Sequence, residues 1–300
     1  MLKTLSDLNK LLEKQKDKKK LVLAVAQDHH ALDAAYNAYK KEIVEIVLVG
    51  KKDEIISLSE KYSYSLTDIQ IIDEADKQKA VEISVKLVAE KKADILMKGN
   101  VNTSVLLKGV LNKEWGLRTG GLLSHLAIFE IKKYHKLLGL TDVAMNIAPD
   151  LKAKVAILKN AIDYMNKLGI EKPKVAAIAA MENVDENMIA SLDAALLSKM
   201  SQRNQILNCE IDGPLAFDNA ISSESAIQKG ISSPVSGDAD LLLMPNIESG
   251  NVLYKALSFF GDAKIAAVIL GAKAPIVLTS RSDSEEAKLN SILLAAVSFK

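Results

Sequence analysis

Short runs of consecutive apolar residues, separated by longer amphipathic stretches, recur from end to end of this 300-residue chain. The runs lie at 21–26, 45–49, 69–72, 95–97, 123–129, 175–179, 205–211, 241–244, 266–270 and 276–279. Several, such as Leu21-Val-Leu-Ala-Val-Ala26, are apolar at successive rather than alternate positions. Strands covered on both faces read this way. Helical spacing of apolar residues fills 77–91, 152–168, 186–199 and 249–260, with further helices expected at 104–111 and 285–298. Such alternation predicts an α/β fold with a mainly parallel sheet. The length and the 49% hydrophobic content suffice for two domains. The pattern breaks across 129–140, where Lys132-Lys-Tyr-His-Lys136 interrupts it. The expected division is therefore 1–130 with 270–300 as a first domain, and 131–269 as a second, inserted one.

Several function classes are disfavoured. A formal net charge of +1 provides no basic field for nucleic acid. The lysine-rich run at 14–20 reads as a solvated helix end. The apolar stretches fall far short of the ~18 residues of a membrane span. The N-terminus lacks the apolar core of a secretion signal, and the one cysteine, Cys209, fits a reducing compartment. The expectation is a cytoplasmic protein. There is no phosphate loop of the Gly-x-x-x-x-Gly-Lys-Ser/Thr type, no Gly-x-Gly-x-x-Gly after the first strand and no zinc-binding spacing, so no metal is expected. His29 and His30 are adjacent and point differently on a helix, which suits surface or capping roles. His125 lies in an apolar run and reads as a core histidine. Cys209 reads as a packed, inert thiol.

Only three of the 39 basic residues are arginine: Arg118, Arg203 and Arg281. Arginine grips phosphate or carboxylate at two points and stays charged when partly buried. Arg118 and Arg281 stand in loops rich in glycine and hydroxyl residues, which suggests a phosphorylated or carboxylated small molecule. In open α/β sheets ligands bind beyond the carboxyl ends of strands. There the chain carries Lys98-Gly-Asn-Val-Asn-Thr103, Pro245-Asn-Ile-Glu-Ser-Gly-Asn251 and Ser280-Arg-Ser-Asp-Ser284, each leading into a helix. Free N–H groups at a helix start favour phosphate. The same Asn, Ser and Asp side chains also suit plain N-caps.

With Gly116-Leu-Arg-Thr-Gly120, Leu123-Ser-His-Leu-Ala-Ile-Phe-Glu130, Asp212-Gly-Pro-Leu-Ala-Phe-Asp-Asn-Ala220, Ser233-Pro-Val-Ser-Gly-Asp-Ala-Asp240 and Pro275-Ile-Val-Leu-Thr-Ser-Arg281, these loops occur in an order that resembles the phosphate acetyltransferase and phosphate butyryltransferase family. The Gly-Leu-Arg-Thr-Gly and Ser-His block is more similar to the butyryl branch. The resemblance implies two three-layer α/β domains with an inter-domain active-site cleft, and a homodimer. It implies reversible transfer of a short acyl group, butyryl or branched, between coenzyme A and inorganic phosphate, with no covalent acyl-enzyme. Coenzyme A is then a substrate, no cofactor is tightly bound, and a carboxylate kinase is the expected consumer of the acyl phosphate.

By the same resemblance Arg281 clamps the phosphoryl oxygens and Ser280 hydrogen-bonds the thiol. Thr103, Tyr254 and Lys255 complete a phosphate pocket, and Arg118 binds an anionic group of one substrate. Lys98, Gly99, Asn100, Thr119, Asn246, Gly250 and Asn251 are further substrate-binding candidates. One departure stands out: Ala287 occupies the place of the acetyl branch's proposed aspartate base. Asp283 is the nearest replacement, as base or as N-cap. Alternatives are an acetyl-specific transferase, a non-catalytic binder of coenzyme A or acyl phosphate, and a metal-dependent hydroxy-acid dehydrogenase of similar architecture.

Overall fold

The structure, a computed structural model, describes residues 2–279 and 283–297. Eleven strands are seen among them: β1 (Lys19–Ala24), β2 (Val44–Gly50), β3 (Gln70–Asp73), β4 (Ile95–Lys98), β5 (Ser124–Glu130), β6 (Leu138–Thr141), β7 (Lys174–Ile178), β8 (Glu210–Leu215), β9 (Leu241–Leu243), β10 (Lys264–Leu270) and β11 (Ile276–Val277). The helices are α1 (Asp7–Leu12), α2 (His29–Lys40), α3 (Lys52–Lys61), α4 (Lys77–Ala89), α5 (Thr103–Val110), α6 (Leu151–Lys167), α7 (Ile189–Gln202), α8 (Phe217–Ile221), α9 (Ser223–Gln228), α10 (Ile247–Phe259) and α11 (Glu285–Val297).

The chain forms two compact units. One comprises Leu8–Gly121 and the segment from Ala266 onward. Its strand order is β3-β2-β1-β4-β11-β10. All neighbours are parallel except β10 and β11. Leu21, Val22, Leu23 and Ala24 of β1 are all fully buried, as a strand covered on both faces must be. α2, α4 and α11 pack against this sheet, α2 also meeting α11 and α4 meeting α5.

The other unit comprises the residues up to Asp7 and Leu122–Ile265. Its order is β5-β6-β9-β7-β8, with only β5 and β6 antiparallel. The N-terminal residues join it because the Leu5 N–H donates to the Glu130 carboxylate at 2.7 Å. α6 and α7 are tied by the buried pair Lys154–Asp193, at 2.7 Å.

The α/β class and the mainly parallel pairing follow the periodicity of the chain, and three local readings are corrected. The run at 205–211 is not a strand up to Glu210, where β8 begins. The polar chain before it turns through left-handed Asn204 and Asn208, a conformation asparagine tolerates. Leu138–Thr141, taken as part of an interruption, is a fully buried strand. The lysine-rich run does not end a helix, since α1 stops at Leu12 and Lys19 and Lys20 already belong to β1. Among the described residues no helix is long and apolar enough to cross a membrane.

Candidate active site

Loop geometry at the end of β4 follows from its parallel neighbours. β4 pairs with β1 on one side and β11 on the other. Past the strand, the Gly99 N–H donates to the Ala24 carbonyl and the Asn100 N–H to the Val25 carbonyl, both at 2.8 Å. The approach is so close that a Cβ on Gly99 would fall 2.3 Å from the Val25 oxygen. Asn100 Nδ2 reaches the Gln27 carbonyl at 3.2 Å. Lys98 Nζ donates to the carbonyls of Gly99 and Val101, at 3.2 and 3.3 Å. Asn102 stands at the N-cap of α5 but makes no side-chain capping bond, and Thr103 opens the helix exposed. α5 carries no acidic residue in its first turn, so its positive end is neutralised by no side chain there. Lys98, Gly99, Asn100 and Thr103 are thus brought together, with the means to hold an anion.

Arg118 and Thr119 are held by the chain between β10 and β11. Arg118 forms an antiparallel bridge with Ala272, and the Lys273 N–H donates to Leu117 at 2.8 Å. The Thr119 hydroxyl donates to the Gly271 carbonyl at 2.7 Å and accepts the Gly121 N–H at 3.2 Å. Its proton is therefore committed within the loop, while Arg118 is exposed.

Ser280 and Arg281 lie outside the described residues. Asp283 is half-buried, and its main-chain carbonyl accepts from Lys288 Nζ. Ser284 caps α11, its Oγ taking the Ala287 N–H at 3.1 Å. Ala287 itself is buried.

In the other unit, the remaining candidates lie around the first turns of α10. Asn246 is a cap: its Oδ1 accepts from the Ser249 N–H at 3.0 Å and the Ser249 hydroxyl at 2.8 Å. Gly250 is required by packing, since a Cβ would lie 2.6 Å from the Asp142 carbonyl oxygen. Asn251 is exposed, with Nδ2 3.4 Å from the Val143 carbonyl. Tyr254 is buried edge-on against Phe129, with ring centroids 5.5 Å apart, and against His125. Lys255 Nζ lies 5.3 Å from the centre of the Tyr254 ring and 5.9 Å from that of Phe259. The positions of Asp142 and Asn146 beside this helix were not anticipated. Their signal was the short run Leu138-Gly-Leu-Thr141, which ends where a strand's carboxyl-end loop begins.

Cys209 is half-buried, and burial pushes its thiol above the ordinary range despite a bond with Ser201. It lacks the electropositive setting that activates a nucleophilic cysteine. Among the described residues no group of three or more His, Cys, Asp or Glu side chains is arranged to hold a metal ion.

Comparison with known proteins adds to this geometry. A family model described as Phosphate acetyl/butaryl transferase matches residues 6–86 and 77–296. A phosphate butyryltransferase of Clostridium acetobutylicum is 50% identical over 284 residues, spanning 95% of this chain and 94% of its own. A phosphate acetyltransferase of Thermotoga maritima is 44% identical, spanning 97% and 99%. The crystal structure of a branched-chain phosphotransacylase from Enterococcus faecalis V583 matches with a TM-score of 0.83 at 34% identity, covering 93% of this chain and 98% of that one.

Proposed function

The chain belongs to the phosphate acetyl/butyryl transferase family, and we propose that it moves a short-chain acyl group, butyryl or branched, between coenzyme A and inorganic phosphate. The observation that carries this reading is the 50% identity to a phosphate butyryltransferase along 95% of the chain. The branched-chain phosphotransacylase structure supports the same class of substrate. Acetyl transfer is the second reading, favoured by the 44% identity to a phosphate acetyltransferase.

In the direction of acyl-CoA formation, the thiol of coenzyme A loses its proton and the sulfur attacks the acyl-phosphate carbonyl. A C–S bond forms, the C–O bond to phosphate breaks, and phosphate leaves with the electron pair. A free thiol titrates near 8.5, so a base or a cation must favour the thiolate at neutral pH. Ser280 hydrogen-bonds that thiol and Asp283 is the assigned base. Arg281 clamps the phosphoryl oxygens, where charge builds as the C–O bond breaks.

Lys98, Thr103 and the α5 N–H groups, with Tyr254 and Lys255 of α10, bind phosphate oxygens. Arg118 takes an anionic group of one substrate. Gly99, Asn100, Thr119, Asn246, Gly250 and Asn251 shape the surrounding loops. Coenzyme A is a substrate, with no tightly bound cofactor. The same reading carries a cytoplasmic homodimer and a carboxylate kinase that consumes the acyl phosphate.

The test is release of free thiol from butyryl-CoA on adding phosphate, with acetyl-CoA in parallel and no nicotinamide present. No release from any short acyl-CoA would sink the transferase reading. Acetyl-CoA turning over faster than butyryl-CoA would favour the second reading.

A further inference from the structure

At the carboxyl end of β6 the chain makes a turn built on one buried carboxylate. Asp142 is only 3% exposed. Its Oδ1 accepts the N–H groups of Ala144 and Met145, both at 3.0 Å. Its Oδ2 accepts from Asn146 Nδ2 at 2.5 Å, and the same Nδ2 donates to the Leu123 carbonyl at 2.9 Å. Every oxygen of the carboxylate is thus engaged by donors inside the turn, which fixes the path of residues 142–146. A carboxylate so placed specifies a conformation that an apolar residue there would not.

The turn serves as the bed of α10. The Met244 N–H donates to the Thr141 carbonyl at 2.7 Å, and the Ile247 N–H to the Ile147 carbonyl at 2.9 Å. Between these two ties, Gly250 packs against the Asp142 carbonyl and Asn251 reaches toward that of Val143. The first turn of α10 therefore follows the 141–147 segment wherever that segment goes. Asn251, Tyr254 and Lys255 are displayed from the next two turns of the same helix.

Resting on the transferase reading, we infer that Asp142 is a positioning residue for phosphate: acting through its turn, it sets where α10 presents Asn251, Tyr254 and Lys255. The phosphate-binding groups concerned belong to α10, and Asp142 acts only through them. Misplacement by about 1 Å is enough to cost about a hundredfold in such a site.

Asp142→Asn tests this with nearly unchanged shape. It keeps an oxygen for Ala144 and Met145 but turns an amide donor onto the Asn146 amide. The expected result is a phosphate KM raised about tenfold, with the butyryl-CoA KM within about twofold of the parent. Combining Asp142→Asn with Asn146→Asp restores a donor–acceptor pair at that contact and is expected to recover part of the phosphate KM. A purely structural role would lower the amount of active protein, and hence kcat, with both KM values unmoved. An unchanged phosphate KM, a loss confined to kcat, or a double variant no better than the single one overturns the inference. Should Asp142→Asn not fold, Gly250→Ala presses on the same turn from the helix side. It is expected to raise the phosphate KM likewise, and a parental KM there overturns the inference equally. A parent protein without turnover fails the transferase reading instead, whereas an active Asp142→Asn with parental phosphate KM fails this inference alone.

Discussion

Gly99 lies so close beneath the carbonyl of Val25 that a Cβ at position 99 would sit 2.3 Å from the oxygen, and 2.8 Å from that of Ala24. The glycine is there for contact, since its backbone N–H must reach the Ala24 carbonyl at 2.8 Å to carry the strand ladder into the loop. Gly99→Ala must push the loop off β1, and Lys98 and Asn100 move with it. We expect kcat/KM to fall by about a hundredfold, as misplacement of about 1 Å does. Thiol-release kinetics beside thermal melting check this, and an alanine variant with parental kinetics would remove the loop from the site.

Arg281→Lys is expected to keep the fold and lose turnover. Lysine retains the charge but not the planar fork that meets two phosphoryl oxygens together. Loss of one donor aimed at developing charge costs about 10²–10³ in kcat. Near-parental kcat, with circular dichroism unchanged, would show that Arg281 does not clamp phosphate.

The loops after β4 and before α10 were legible in sequence because glycines and amides concentrate where strands give way to helices. Lys98, Gly99, Asn100 and Thr103 run from the end of β4 through its loop to the start of α5. What Asn246 does was open in sequence, because a cap and a ligand use the same oxygen; the structure shows the bond from Ser249. For Asp283 the sequence left base and N-cap both open, and the structure adds that Ser284 caps α11. The Asp142 turn was hidden because β6 is four residues long and contains Gly139 and Thr141. Its strand character comes from burial between β5 and β9, a tertiary effect that periodicity does not carry.

The acid side of the stability profile should depend on Asp238. Burial works to raise its pKa, but bonds from Lys174 at 2.6 Å, Lys136 at 2.9 Å and His135 at 2.7 Å outweigh it and hold the carboxyl well below the ordinary range. A carboxyl depressed in the fold contributes stability that is complete above its unfolded value, about 4, and is lost as pH falls through the folded value. The Asp238 side chain is 37% exposed, so screening limits the effect to about 1 kcal/mol. Asp238→Asn should therefore be less stable than the parent at neutral pH, and the gap should narrow below about pH 4. Urea unfolding across that range measures it. A gap that stays constant on acidification would show that the charge of Asp238 contributes nothing.

Cys209 distinguishes direct transfer from a covalent relay. A thiol must be ionised to attack an acyl phosphate, and burial raises the pKa of this one. Its Sγ lies 4.0 Å from the Ile206 carbonyl, a weak acceptor contact that offers no help to a thiolate. If the thiol of coenzyme A attacks the acyl phosphate directly, no enzyme sulfur is needed at any step. Cys209→Ala should then keep kcat and both KM values within about twofold. Alkylation of Cys209 in the folded protein should also be slower than that of free cysteine at the same pH, because less thiolate is present. Mass spectrometry after quenching with acyl-CoA in excess should find no acyl adduct on the protein. A Cys209→Ala variant that folds but does not turn over, or an adduct on Cys209, would replace direct transfer with an acyl-enzyme.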